Sequence, residues 1–146
     1  MLGFKGREEL LKIASDAVSR NAQPDEVMVD MIPQARVDPS IGFFAFFGAL
    51  IGSFLAVLLG ALVTKFFMVI LTNKRLIFVE MGMTFNVLAV NGYFLNEVKL
   101  IKFKRGLLQY KMVLLLPGQT KNMVLRMPKN GLWKLAPEKI AAALTN

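Results

Sequence analysis

Apolar and polar positions alternate in three different rhythms along this chain. Residues 6–20 carry Leu10, Leu11, Ala14, Ala17 and Val18 on one stripe, with Arg7, Glu8, Lys12, Asp16 and Arg20 mostly elsewhere, the spacing of an amphipathic helix. Asn21-Ala-Gln-Pro-Asp25 breaks it, and residues 26–32 alternate as a short strand would, ended by Pro33. Residues 41–64 then run 24 positions without a charged side chain. After Lys65 the rhythm changes to short β-like runs at 66–71, 75–80, 85–90, 98–104, 107–116 and 122–127, rich in Val, Ile, Phe and Leu. Turn signals at Thr72-Asn73, Asn91-Gly92, Arg105-Gly106 and Pro117-Gly118 separate most of these runs, as in an antiparallel meander. Pro137 opens a last helical stretch to Thr145, whose Ile140, Ala141 and Leu144 could plug one end of a sheet.

The apolar run decides the expected class. As a helix rising about 1.5 Å per residue it would reach roughly 36 Å, enough to cross a hydrocarbon core of about 30 Å. Pro39 and Ser40 stand where such a helix would start. Gly48, Gly52, Ala56, Gly60 and Thr64 recur every four residues, beside a second row of Ala45, Ala49 and Ser53. Small rows let helix backbones approach closely, so this face is expected to pack helix on helix and to make the chain a homo-oligomer. The organisation expected is an N-terminal helix and strand (1–40), a transmembrane segment (41–64) and a basic β domain (65–146).

Composition narrows the chemistry. An apolar fraction of 55% and a mean hydropathy of +0.50 exceed the usual soluble average of about 45–50% apolar. With no Cys and no His there is no disulfide, thiolate nucleophile, Cys/His zinc site or imidazole base. The net charge of +8 is uneven: residues 1–40 hold five basic and seven acidic side chains, and residues 65–146 hold thirteen basic and three acidic. Those three carboxylates, Glu80, Glu97 and Glu138, are isolated, and no phosphate loop, nucleophile elbow or metal-ligand cluster is present. The expectation is a non-enzyme without metal or cofactor.

Specific residues carry a family resemblance. The phrase Phe67-Met-Val-Ile-Leu-Thr-Asn-Lys-Arg-Leu-Ile-Phe-Val79 resembles the "LTnkRLi" hairpin of bacterial pleckstrin-homology-like (PH-like) domains. Leu95-Asn-Glu-Val-Lys-Leu-Ile, then Arg105-Gly-Leu-Leu, an apolar strand, a Pro-Gly turn and a last helix follow in the order of that family. The resemblance implies a mainly antiparallel β PH-like barrel capped by a C-terminal helix. Together with the apolar run it gives the expected fold class: an α+β membrane protein with an N-terminal amphipathic helix and one transmembrane helix, or a re-entrant hairpin, before that barrel.

A single span would put residues 26–32 and 66–127 on opposite sides of a membrane, with the early strand outside the barrel. Lys65, Lys74 and Arg75 follow the apolar run closely while only Arg36 precedes it nearby, so the positive-inside rule places residues 65–146 in the cytoplasm, against a bacterial inner membrane. In residues 98–105, Ile101 and Phe103 alternate with Lys102 and Lys104, so a strand there would turn apolar groups inward and ammonium groups outward. Lys99, Arg105 and Lys111 flank that row, and Lys74 and Arg75 could join it. Near a bilayer these seven residues are candidates for anionic headgroups, at about 1 kcal/mol per basic residue. The functional expectation is a membrane-anchored, self-associating binding or adaptor protein whose partners are membrane lipids or another protein. An oligomeric scaffold or pore is the alternative. Nucleic acid ranks lower, because no aromatic-basic recognition motif accompanies the pI near 10.0.

Overall fold

The computed structural model describes residues 6–37, 65–82, 86–129 and 133–145. Helix α1 (Arg7–Ser19) is followed by strands β1 (Met28–Val37), β2 (Lys65–Thr72), β3 (Arg75–Met81) and β4 (Val87–Phe94). A short 3-10 turn at Leu95–Glu97 leads to β5 (Lys99–Arg105), β6 (Gln109–Leu115), β7 (Met123–Pro128) and helix α2 (Ala136–Thr145). All seven strands join one antiparallel sheet in the order β4-β3-β2-β1-β7-β6-β5.

Alternation along each strand divides the sheet into two apolar faces. On one, Ile32, Phe67, Val69, Leu76, Phe78, Met112, Leu114, Leu125 and Met127 form the main core, closed by Ala136, Ile140 and Ala141 of α2. On the other, α1 lays Leu10, Ala14 and Ala17 over Met31, Met68, Ile70, Ile77, Val79 and Met81. The three α1 positions are spaced by four and three residues, the stripe that one helix face needs to meet a flat sheet. Glu8 and Glu9 in the first turn of α1 complement the positive end of its dipole. Asn21 follows the helix with φ 56°, a left-handed conformation that Asn tolerates at helix ends.

Pro33 does not end the early strand. The pairing of β1 with β2 shifts register between Ile32 and Ala35, and this bulge takes up the proline that cannot donate to the ladder. Beyond it β1 pairs with β7 only at Arg36 and Val37. The β6–β7 connection is a type II turn: Gln119 N–H donates to Leu116 C=O at 3.1 Å, Pro117 leads the turn and Gly118 takes φ 76°.

The sheet corrects the expected fold class and localisation. β1 lies between β2 and β7, inside the same sheet, so the arrangement with one membrane span and the early strand outside cannot hold. Val37 stands opposite Lys65 in the ladder, which means that the chain leaves and rejoins the sheet at one place. Among the described residues the strands form one sheet whose outermost members are β4 and β5, in place of the expected PH-like barrel. No helix among the described residues is long and apolar enough to cross a membrane. The integral inner-membrane assignment, with residues 65–146 on the cytoplasmic side, is withdrawn on that ground. The segment 41–64 and its small-residue rows, Gly48, Gly52, Ala56 and Gly60 among them, lie outside the described residues.

Candidate anion-binding surface

Two groups of polar side chains stand out, one closed and one open. The closed group surrounds the two-residue turn between β2 and β3. Arg75 Nε donates to Glu26 Oε2 at 2.8 Å and Nη2 donates to Glu26 Oε1 at 2.8 Å, a bidentate pair. Its side chain is 8% exposed and that of Glu26 is 0% exposed. The same guanidinium donates to the carbonyls of Val18 (3.0 Å) and Arg20 (3.2 Å), tying down the end of α1. Thr72 Oγ1 donates to Glu26 Oε2 at 2.6 Å and accepts from the backbone N–H groups of Lys74 and Arg75. Asn73 receives Val27 N–H on its side-chain oxygen at 2.9 Å and donates to Asp25 C=O at 3.0 Å, while Lys74 Nζ donates to Pro24 C=O. Burial of the Glu26 carboxyl would raise its pKa, but the hydrogen bonds from Arg75, Thr72 and the Gln23 backbone N–H, with the charge of Arg75, outweigh that and lower it to about 2. Thr72-Asn-Lys-Arg75 is thus a clamp joining α1, the 20–27 loop and the sheet. Arg75 is committed to it, and Lys74 reaches the same loop.

The open group lies on the sheet face that α1 partly covers. α1 packs against β1, β2 and β3, and the basic residues lie on that face toward β5. Residues opposite one another in an antiparallel ladder present side chains on one face. Lys104 is opposite Lys111, Lys111 is opposite Arg126, and Arg126 is opposite Arg36. Four cations therefore form one transverse row over β5, β6, β7 and β1, roughly 14 Å long at the usual strand spacing. Phe66 extends it on β2, opposite Arg36. On the same face of β5, Lys102 is opposite Val113 and Lys99 opposite Leu115. None of these ladder positions holds a carboxylate.

Four of the seven sequence candidates, Lys99, Lys102, Lys104 and Lys111, thus share one face. Arg105 points to the other, where Nε donates to Glu138 Oε1 of α2 at 2.6 Å and the guanidinium stacks over Phe103 at 5.0 Å. The expected alternation is offset by a register shift between Leu100 and Lys102: Leu100 packs on the core and Ile101 is left 45% exposed. Two members of the row were not singled out from sequence. Arg36 and Arg126 are far apart in the chain, and only the β1–β7 register brings them together.

Residues 43–136, more than half of the chain, match the family model of the bacterial PH domain. The chain belongs to the bacterial PH domain family. In this PH domain the matched stretch begins after β1, yet the sheet takes β1 as its central strand. The hSac2 domain of the human phosphoinositide phosphatase Sac2 is a similar solved structure, with a TM-score of 0.48 and 12% identity over 96% of this chain and 81% of that one. No curated protein matches the PH domain in sequence. A PH-like domain fits a binding or adaptor role.

Proposed function

We propose that this bacterial PH domain is a non-catalytic binding or adaptor module that contacts anionic lipid headgroups through the exposed face of β5, β6, β7 and β1. The observation that carries the reading is the Lys104–Lys111–Arg126–Arg36 row. Like charges placed opposite one another in a ladder cost stability, and Lys104 opposite Lys111 carries that cost on the β5–β6 hairpin. A sheet of phosphates offsets that repulsion, with each cation near an anionic surface contributing about 1 kcal/mol at low salt and less as salt screens it. Lys99 and Lys102 enlarge the same field.

The test is co-sedimentation of the purified chain with phosphatidylcholine vesicles, with and without phosphatidylglycerol, over a series of salt concentrations. Binding should require the anionic lipid, weaken as salt rises, and fall sharply in Lys99→Glu/Lys102→Glu/Lys104→Glu. Salt-independent binding, or equal binding by that variant, would refute the headgroup reading.

A further inference from the structure

The turn between β5 and β6 exposes its apolar side chains more than any other described segment. Leu107 is 91% exposed and Leu108 84% exposed. Adjacent leucines in open water at the end of a hairpin make no contribution to the core, and a polar turn would serve the fold as well.

The turn is also held in shape. Gly106 N–H donates to Gln109 C=O at 3.0 Å, and Lys129 Nζ donates to Gly106 C=O at 2.9 Å from the end of β7. Below it the rings of Phe103 and Tyr110 stack at 5.5 Å, with Arg105 over the first and Lys129 over the second. The two leucines are therefore presented on a braced support, so little ordering entropy is lost when they are covered. Lys129 is itself cationic, and with Lys104 and Lys111 it places three positive side chains around the base of the turn, while Arg105 is held in its ion pair with Glu138. An apolar tip with a basic collar is complementary to one environment in particular, the interface of an anionic bilayer, where phosphates lie above the acyl chains. A groove on a protein would match the leucines without needing the collar.

We infer that the β5–β6 turn is a membrane-inserting tip: Leu107 and Leu108 enter the headgroup–acyl boundary while Lys104, Lys111 and Lys129 stay at the level of the phosphates. This rests on the headgroup reading above and adds the apolar half of the contact. The bound domain would then stand with the tip buried and the β5 face turned toward the lipid.

The chain has no cysteine, so one can be introduced as a unique label site. Leu108→Cys carrying an environment-sensitive fluorophore is mixed with phosphatidylcholine/phosphatidylglycerol vesicles, and Val27→Cys beside the β2–β3 hairpin is the reference. The expected result is a blue shift and quenching by shallow spin-labelled lipid at position 108 and neither at position 27. Unlabelled Leu107→Ser/Leu108→Ser should bind the same vesicles at least about tenfold more weakly, the size expected for losing buried leucine, with its melting temperature unchanged. If the chain sediments with vesicles while the label at 108 stays in water, or both labels shift alike, the tip is refuted and the headgroup reading stands. Unchanged vesicle affinity in the double serine variant refutes it equally and assigns the leucines to a protein groove. If the chain does not bind anionic vesicles at all, both readings fall together.

Discussion

Glu26 and Arg75, 49 positions apart in the chain, meet as a bidentate ion pair whose carboxylate is wholly shielded from solvent. The geometry satisfies both partners, since Thr72 and the Gln23 N–H occupy the remaining acceptor sites of Glu26 and two carbonyls at the end of α1 take the remaining arms of Arg75. Removing one partner is then far costlier than the pair is stabilising. Arg75→Ala should lower unfolding stability by about 3 kcal/mol, read from the urea midpoint, and should loosen α1 first. Arg75→Lys should recover only part of this, because an ammonium group cannot span both oxygens.

The same pair makes stability depend on pH in a definite direction. The Glu26 carboxyl has an ordinary value of 4.5 and is lowered to about 2 in the folded chain. A depressed folded value means that the stabilisation is fully present above about 4.5 and is lost as pH falls toward 2. Urea midpoints measured from pH 6 to pH 2 should decline more steeply for the natural chain than for Glu26→Gln. The two should converge at the acid end.

Lys111 lies between Lys104 and Arg126, so it faces a like charge on both sides. Lys111→Glu should raise stability by roughly 0.5–1 kcal/mol while weakening association with anionic vesicles. A thermal melt and a sedimentation assay on one preparation would show the two effects moving in opposite directions.

Gly106 admits no side chain. A Cβ there would lie 2.5 Å from the Gln109 carbonyl oxygen, a backbone atom that cannot turn aside. Gly106→Ala should cost about 1–2 kcal/mol and speed amide exchange at the β5–β6 hairpin, leaving exchange around α1 as it was.

The elements were more legible than their assembly. Residues 6–20 read as a helix because the stripe is strong, and α1 occupies Arg7–Ser19. Asn91-Gly92 read as a turn, yet both lie inside β4. There the side chain of Arg75 fills the space over Gly92: a Cβ at that residue would be 3.0 Å from Nη1, so a tertiary contact overrides a local turn signal. Arg75 read as a surface cation because nothing local marks it as buried. Its partner Glu26 is distant in sequence, and the pairing is fixed by the β1–β2 ladder. The cation row had the same fate, since Lys104 was visible from alternation alone but Arg126 and Arg36 needed the register across β6, β7 and β1. The apolar run at 41–64 dominated the reading of class. It could not reveal that Val37 and Lys65 on its two sides are ladder partners.

That β1 pairs with β7 has a consequence for how the chain is made. During synthesis β1 through β4 can zip from near neighbours as they emerge, whereas the other side of β1 must wait for almost the whole remaining chain. For that interval the sheet has a temporary edge, which could template pairing with a second nascent chain. Only Arg36 and Val37 of β1 are destined to pair there, and Arg36 adds a charge. The edge that waits for β7 is thus a short one, charged at Arg36, and offers a second chain little to pair with.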